Sequence, residues 1–315
     1  MTSRESRAAL ERFLGKKESS FSPTRLETYA RCPYRYFLQA LLSLAPWEET
    51  DKLEALSPID RGALVHRILF LFFSRLKEEN RFPLAAQARS YLNSVLMELA
   101  EKAFQEFAQE KATGYPLLWS LEKSRILASL EGFVKTELKD LEGFEPAYLE
   151  QGFNCPFPLD GKGTIVLRGR IDRIDLSPDG RQARIIDYKT GYPQPIGDGE
   201  FKGGEALQLP LYLYAAGQQF RGVELTSAAY AYVSEKAGYR RFLFTTEGWT
   251  AKLKTLQAIV SGLVAGIRKG IYPAHPASCS PCHFPLICGH TAQVLYERKC
   301  RDPRIAFFER IKEID

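Results

Sequence analysis

Two strand-like segments joined by a short turn constrain the fold of this chain more than any other feature. "TIVLRGRIDRIDL" and "ARIIDYKTG" are rich in β-branched residues and alternate apolar with polar side chains, which is typical of β-strands. Between them stands "SPDG", residues 177–180, in which proline presets the backbone and glycine tolerates a left-handed conformation. The sequence therefore predicts an antiparallel hairpin, and the apolar residues that bound its strands indicate a central position.

The hairpin brings charged side chains of both strands onto one face. With the proline and the aspartate of the turn at its tip, residues whose numbers sum to 357 lie opposite one another. Asp172 then lies opposite Ile185 and diagonal to Asp187, within about 7–8 Å on the backbone. Because alternate residues of a strand point to opposite faces, Asp187 and Lys189 share a face, and this register adds Asp172 to it.

Two interpretations of this charged face stay open. The first is a solvated hairpin face with a salt bridge. The second is a metal site, because like carboxylates are costly to bury unless a cation neutralises them. Carboxylate oxygens suit hard ions such as Mg²⁺ or Mn²⁺. The central position of the hairpin favours the metal site.

The rest of the chain is helical before the hairpin and mixed after it. From Ser22 to about Gly143 the pattern is helical, most strongly in "IDRGALVHRILFLFFSRL", with further helices expected over about 84–112 and 117–141. "YLEQGFNCPFPL" reads as a strand before the hairpin. After the hairpin come a helix in "GEALQLPLYLYAAGQQF", strands in "SAAYAYVS" and "YRRFLFTT", a helix over about 248–269 and a charged C-terminal helix. This order predicts an α+β (α/β) domain with a long helical lead-in.

The first helix contains a cysteine–proline pair that a helix does not explain. In "SPTRLETYARCPYRYFLQALL", Ser22 is the expected N-cap and Pro23 suits the first turn. Pro33 lacks an amide donor and marks a kink or a break. Cys32, taken alone, is most simply a small buried residue.

Six cysteines are unevenly spaced, and three of them fall within ten residues, in "CSPCHFPLIC". The N-terminus "MTSRESRAALERFLGKKESS" has no apolar signal-peptide core, and no run approaches the ~18 apolar residues of a membrane span. A cytoplasmic protein without membrane association is therefore the default, and disulfides are not expected there. Thiolates at C-x2-C-x5-C spacing suit one soft metal centre instead.

Five short motifs occur in the order seen in one nuclease family. "GRIDRID" and "IIDYKTG" resemble the D…(D/E)-x-K core of the PD-(D/E)XK nuclease superfamily, in particular its RecB/AddB-type branch. "RGALVH" resembles the G-x-x-x-H helix of that branch, and "QLPLY" resembles its Q-x-x-x-Y motif. The cysteines resemble its iron–sulfur ligands, one in an S-x-x-x-L-x-x-Y-x-x-C-P segment and three downstream. The resemblance covers about residues 21–292.

The resemblance implies a restriction-endonuclease-like core, with a central mixed β-sheet flanked by helices, and a set of metal ligands. Asp172 and Asp187 would hold one or two Mg²⁺ or Mn²⁺ ions, with His66 and the Tyr188 carbonyl completing the coordination. Ile171 stands where the family's proline precedes the first aspartate. The metal would lower the pKa of its water and neutralise charge developing on the phosphate.

Three further residues complete the implied catalytic set. Lys189 would position the attacking water or stabilise a non-bridging phosphate oxygen. Gln208 and Tyr212, one helical turn apart, would orient the metal ligands or contact the DNA backbone. Glu150, at the start of the first strand, is a candidate accessory acid.

The resemblance also implies a 4Fe–4S cluster that acts as a clasp rather than a redox centre. Its ligands would be Cys32, Cys279, Cys282 and Cys288. Cys155 and Cys300 match no ligand position and are interpreted as structural or incidental. Zinc with mixed ligands stays open, because three histidines flank the loop, namely His275, His283 and His290.

The motifs divide the chain into five parts. These are a tail (1–20), a helical lead-in with the first cluster cysteine and the active-site histidine (21–145), the nuclease core (146–270), the cluster loop (271–292) and a C-terminal helix (293–315).

The predicted function is metal-dependent cleavage of DNA, as an exonuclease on single-stranded or unwound ends, in DNA repair or recombination. A net charge of +5 suits a polyanionic partner without requiring one. No G-x-x-x-x-G-K-[ST] loop occurs, so a helicase is expected as a separate subunit or as a region of a longer polypeptide. The alternatives are a catalytically silent iron–sulfur scaffold that binds DNA and a zinc-stabilised binding module.

Overall fold

The computed structural model describes residues 20–44, 56–82, 89–140, 143–161, 163–276, 279, 282, 284–289 and 292–314. Within these residues, six strands form one mixed sheet, and helices pack against both of its faces. The predicted fold class is thereby confirmed. The predicted tail lies outside the described residues up to residue 19.

The N-terminal helical segment breaks where the cysteine–proline pair predicts. Helix α1, Pro23–Arg31, begins at Ser22, whose Oγ accepts a hydrogen bond from a first-turn amide at 3.3 Å. It ends because Cys32 is extended, with φ −156° and ψ 105°. Helix α2, Pro33–Tyr36, then leads into a π-helical turn, Phe37–Leu41.

The remaining helices lie close to their predicted positions. Those before the main strands are α3 (Pro58–Glu78), α4 (Arg89–Glu110) and α5 (Pro116–Asp140). Those after the hairpin are α6 (Gln208–Gln219), α7 (Trp249–Arg268), α8 (Pro285–Cys288), α9 (Ala292–Lys299) and α10 (Ala306–Lys312). Among the described residues, no helix combines the length and the apolar character needed to cross a membrane.

The sheet is organised around one long strand. Its strands are β1 (Ser20–Phe21), β2 (Glu145–Pro158), β3 (Thr164–Leu176), β4 (Gln182–Lys189), β5 (Glu224–Tyr232) and β6 (Arg241–Thr245). Antiparallel β2 runs along β3, while parallel β1 and antiparallel β4 pair with different parts of β3. Beyond β4, β5 pairs in parallel and β6 antiparallel. The short strand β1 was not predicted.

The predicted hairpin register is wrong by two residues. Arg173 pairs with Ile186, whereas the predicted register pairs it with residue 184. The cause is a longer loop, because Ser177 N donates to Gln182 O at 2.9 Å and leaves four residues between them. Glycine supports this loop at position 180, where φ is +69°.

The shift changes which residues are opposite one another but not which face they occupy, because the side-chain period of a strand is two. Continuing the observed register by one position brings Asp172 directly opposite Asp187, which the prediction had as its diagonal neighbour. Asp172, Asp187 and Lys189 therefore still share a face.

Two apolar cores lie on the two faces of the sheet. Ala183 and Ile185 of β4 pack on the face covered by α1, α6 and α7, called the α6 face below. Ile186 and Tyr188 pack on the face covered by α3, α4 and α5, called the α3 face. By alternation, Asp187 follows Ile185 on the α6 face. The division of the chain into five parts stays a prediction; in the structure, α1 packs in the core of the α6 face rather than with α3 to α5.

Candidate active site

The site forms where β3 and β4 stop pairing through their backbones. The paired residues of the hairpin end at Arg173 and Ile186. One position further on, Tyr188 N donates to Asp172 Oδ2 at 2.7 Å, so a carboxylate takes the place of a backbone acceptor. This contact fixes the Asp172 side chain between the two strands.

His66 of α3 contacts both strands at this point. Its Nε2 lies 3.1 Å from Tyr188 O, and its Nδ1 lies 3.3 Å from Asp172 Oδ1. Burial lowers the pKa of His66, but the hydrogen bond and charge of Asp172, with the charges of Asp187 and Glu150, raise it above its ordinary value. The imidazole thus lies in a field that attracts a cation.

Asp187 and Lys189 form a buried ion pair on the α6 face. Lys189 Nζ lies 2.5 Å from Asp187 Oδ2. Burial raises the pKa of Asp187, with Lys189 opposing and Asp172 adding to the rise. Burial alone would lower the pKa of Lys189, but Asp187 raises it. Among the described residues, Asp187 Oδ2 has no hydrogen-bond donor in good geometry, although the atom is buried.

Helix α6 supplies a second contact to the lysine. Lys189 Nζ donates to Gln208 Oε1 at 2.7 Å, and Gln208 Nε2 donates to the hydroxyl of Tyr212 at 3.4 Å. The lysine ammonium also lies 4.7 Å from the centre of the Tyr230 ring. The ammonium is thus held by a carboxylate, an amide oxygen and an aromatic face.

Glu150 reaches the site from β2 through an unusual backbone. Its neighbours Leu149 and Gln151 pair with Arg173 and Ile171, which brings Glu150 opposite Asp172. Glu150 has φ +50°, a left-handed conformation that costs free energy in any residue with a Cβ. Burial and the charge of Asp172 raise its pKa, and Arg170, 3.2 Å away, opposes the rise.

The donor set fits a hard divalent cation. One possible ligand atom from each of His66, Glu150 and Asp172 lies within 4.8 Å of the others. The carboxylate oxygens suit Mg²⁺ or Mn²⁺, and the imidazole suits Mn²⁺ as well. Asp187 adds a buried oxygen that lacks a hydrogen bond. A bound cation would relieve the repulsion that raises the pKa values of Asp187 and Glu150.

A buried ion cluster supports the hairpin from the α3 face and was not predicted. Arg173, fully buried, lies 2.6 Å from Asp175 Oδ1 and 2.6 Å from Glu137 Oε2 of α5. It also donates to the hydroxyl of Tyr188 at 3.2 Å. The alternating charges of "RGRIDRID" signal it, because Arg173 and Asp175 occupy the face opposite Asp172.

The four cysteines of the predicted cluster line one cavity of about 340 Å³, next to α2 and α8. They are Cys32, Cys279, Cys282 and Cys288. Among the described residues, their sulfurs do not form a group as tight as the His66 group. Of the six cysteines, Cys155 and Cys300 do not line this cavity.

Two backbone amides point at the cavity's sulfurs. His275 N donates to Cys32 Sγ and Phe284 N donates to Cys282 Sγ, each at 3.4 Å. Such donors stabilise thiolates, which are the form that binds metal. The thiols therefore have the chemistry of a soft metal centre. His283 and His290, considered as zinc ligands, lie outside the described residues.

A family model of the PD-(D/E)XK nuclease superfamily matches residues 20–289, a range that contains every motif described above. The chain belongs to this superfamily. As a member of it, the chain has curated relatives that are named as one of the subunits of an ATP-dependent helicase/deoxyribonuclease. The relative from Moorella thermoacetica is 32% identical over 222 residues, which are 66% of this chain and 18% of the relative. The one from Thermoanaerobacter sp. (strain X514) is 30% identical over 212 residues, which are 64% of this chain and 18% of the relative.

A solved structure of a protein from Eubacterium rectale, whose name includes the word exonuclease, aligns with a TM-score of 0.43 and 14% identity. The alignment covers 90% of this PD-(D/E)XK chain and 91% of that one. The chain spans less than a fifth of the length of the two curated relatives.

Proposed function

We propose that this chain is a divalent-metal-dependent nuclease that hydrolyses phosphodiester bonds of DNA. The observation that carries the proposal is the meeting of His66, Glu150 and Asp172 beside the Asp187–Lys189 pair. The family supports the same reaction class. A solvated salt bridge is disfavoured because Asp187 is 3% exposed.

The proposed metal ligands are the carboxylates of Asp172, Asp187 and Glu150, the His66 imidazole and the Tyr188 carbonyl. When bound, Mg²⁺ or Mn²⁺ would supply a strong nucleophile from water at neutral pH and neutralise negative charge on the phosphate. Tyr188 fits this set because its amide and its carbonyl already contact Asp172 and His66.

Lys189 is the proposed catalytic cation. Its ammonium is held by Asp187 and Gln208, so it is preorganised and needs little rearrangement as the phosphate gains charge. In the proposed reaction, a water oxygen bonds to phosphorus while the bond to the leaving sugar oxygen breaks. Lys189 donates a hydrogen bond to a non-bridging oxygen or orients that water, and Gln208 and Tyr212 keep it in place.

The proposed substrate is single-stranded or unwound DNA, degraded from an end, and the proposed partner is a helicase. The relatives carry both activities in their names, and this chain matches less than a fifth of their length. Either the helicase is a separate subunit or the chain is one region of a longer polypeptide.

The proposed second cofactor is a 4Fe–4S cluster in the cysteine cavity, acting as a clasp. Four thiols from two distant segments meet there, and backbone amides donate to two of the sulfurs. Sequence order makes this a long-range link between the first helices and the C-terminal region.

The test is DNA cleavage by the purified chain with EDTA, Mg²⁺ or Mn²⁺, on end-labelled single-stranded and duplex DNA. Metal-dependent release of labelled fragments from single strands is expected. Binding without cleavage under every metal condition would favour the silent scaffold. Iron, sulfide and zinc assays of anaerobically purified protein decide the cysteine site: iron and sulfide support the cluster, and zinc alone contradicts it.

A further inference from the structure

Glu27 of α1 is a buried carboxylate that no motif above explains. Its side chain faces the interior of the molecule, and the residue is 7% exposed. Its Oε1 accepts hydrogen bonds from Leu207 N and Gln208 N, both at 2.8 Å. These two amides lie at the start of α6, about 180 residues away in sequence.

Helix α6 lacks a cap of its own. Its first amides have no partner within the helix, and a serine, threonine, asparagine or aspartate usually accepts from them. Here the N-cap is Leu207, whose side chain makes no cap hydrogen bond. Glu27 supplies the missing acceptor from another helix, and the positive end of the α6 dipole favours its charge.

The first residue of α6 is also the one that contacts the proposed catalytic lysine. Gln208 N donates to Glu27, while Gln208 Oε1 accepts from Lys189 Nζ at 2.7 Å. The backbone and the side chain of one glutamine thus join Glu27 to Lys189. A displacement of the first turn of α6 would move the amide oxygen away from the ammonium.

We propose that Glu27 is a positioning residue of the nuclease centre, which holds the first turn of α6 so that Gln208 keeps Lys189 in place. The inference rests on the proposed function for its catalytic consequence, and on the hydrogen bonds for its structural one.

The surrounding packing leaves α6 little other support at this point. The loop before α6 lies against α1, and Gly204, with φ +86°, is so close that a Cβ there would be 3.1 Å from Ala30 Cβ. Glu205 in the same loop pairs with Arg31 at 3.2 Å and with Lys312 at 2.5 Å. Glu205 joins the same elements but contacts neither the α6 amides nor Lys189, so it is the matched control.

Helix α1 is itself fastened next to the cysteine cavity. The hydroxyl of Tyr29 donates to Ile271 O at 2.6 Å, and Tyr34 N, in α2, donates to Pro273 O at 3.1 Å. Cys32 lies between α1 and α2. Glu27 therefore connects the reacting lysine to the segment that the proposed clasp would hold.

The test compares Glu27→Gln, Glu27→Asp and Glu27→Ala by single-turnover DNA cleavage per folded molecule. Glu27→Gln keeps the reach and an acceptor oxygen, and we expect a rate within a few-fold of the wild type. Glu27→Asp keeps the charge but is shorter, and Glu27→Ala has no acceptor. For both, a kcat lower by about 10- to 100-fold with little change in KM is expected, as for a lost charge-assisted hydrogen bond. Glu205→Gln should leave kcat unchanged.

A double-mutant cycle separates positioning from general stability. If Glu27 acts through Gln208, then Glu27→Ala should cause no further loss of kcat in a Gln208→Ala background. Additive losses, a wild-type kcat for Glu27→Ala, or an equal loss in Glu27→Gln and Glu27→Ala would overturn the inference. If Glu27→Ala does not fold, the Gln and Asp variants decide.

Amide hydrogen exchange keeps the inference separate from the proposed function. Exchange at Leu207 and Gln208 should be faster in Glu27→Asp than in the wild type and unchanged in Glu205→Gln, whether or not the protein cleaves DNA. Unchanged exchange in Glu27→Asp contradicts the positioning role. Faster exchange in a protein that cleaves no DNA would contradict the nuclease proposal alone.

Discussion

Glu150 shows how a single residue can sacrifice stability for a site. A glutamate with φ +50° in the middle of a strand is strained, and its carboxylate lies next to Asp172. Strain of this kind costs about 1–3 kcal/mol and is concentrated at functional sites. The proposed cation would compensate for both the strain and the repulsion.

Replacing this residue should therefore separate stability from metal binding. Glu150→Asn removes the charge and places at φ +50° a residue type that tolerates this conformation. We expect the metal-free protein to gain about 1 kcal/mol in its free energy of unfolding and the Mn²⁺ affinity to fall by about 10-fold or more. Urea unfolding and calorimetric titration measure the two. Glu145→Asn, on the same strand, should change neither; a stable variant with wild-type Mn²⁺ affinity would remove Glu150 from the ligand set.

Glu27 should make the stability of the metal-free protein fall as pH rises. Burial raises the pKa of its carboxyl to about 7 from 4.5, with Lys189 and two amides opposing the rise. Between these values the unfolded chain loses its proton first, so unfolding becomes easier, by up to roughly 3 kcal/mol. The loss is absent below pH 4.5 and complete above pH 7.

The measurement is the urea midpoint of the wild type and of Glu27→Gln between pH 5 and pH 8, a window set by the same two pKa values. Glu27→Gln has no carboxyl to titrate, so its stability should exceed that of the wild type by an amount that increases with pH. A difference that stays constant across this window contradicts the raised pKa.

At the scale of elements, the sequence predicted the types of helix and strand but not the contacts between distant ones. The alternation in "RIIDYK" determines which residues share a face, so an error of two in the register left Asp172, Asp187 and Lys189 together. The cap of α6 by Glu27 was not predictable, because nothing local in "EALQLPLY" indicates which distant carboxylate approaches it. The left-handed backbone of Glu150 has no sequence signal either.

The two cysteine segments provide an element-scale prediction. Cys32→Ala should lose iron and destabilise the protein, although Cys32 is 247 residues away from Cys279 in sequence. The entropy of closing so long a loop suggests a loss of roughly 5 kcal/mol, by analogy with a disulfide. Iron content and thermal unfolding are measured with Cys300→Ala as the matched control, because Cys300 does not line the cavity. Equal iron content in wild type and Cys32→Ala would remove Cys32 from the ligand set.

At the scale of the whole molecule, the sheet separates two cores that both support the hairpin. The α6 face holds Asp187 and Lys189 against α6, while the α3 face holds Tyr188 and the Arg173 ion cluster against α5. The site therefore depends on helices from both sides of the sheet. The sequence lacks a phosphate-binding loop for ATP, which agrees with a nuclease that relies on a separate motor.

The isolated chain should therefore cleave single-stranded or frayed DNA without hydrolysing ATP. Binding should weaken as salt rises, because contacts to DNA phosphates release condensed counterions. ATPase assays, fluorescence anisotropy at increasing salt and digestion of a long blunt duplex test these points. Processive, ATP-independent degradation of blunt duplex would show that no helicase is needed.

The central claim is that Asp187 and Lys189 perform metal-dependent DNA cleavage. Its most direct test is single-turnover cleavage of end-labelled single-stranded DNA in Mn²⁺ by the wild type, Asp187→Ala and Lys189→Ala, with DNA affinity and thermal unfolding measured on the same samples. Asp198→Ala is the control, because Asp198 pairs with Lys252 outside the site. We predict that both site variants fold and bind DNA but do not cleave it, whereas Asp198→Ala cleaves normally. Near-wild-type cleavage by Asp187→Ala would contradict the claim.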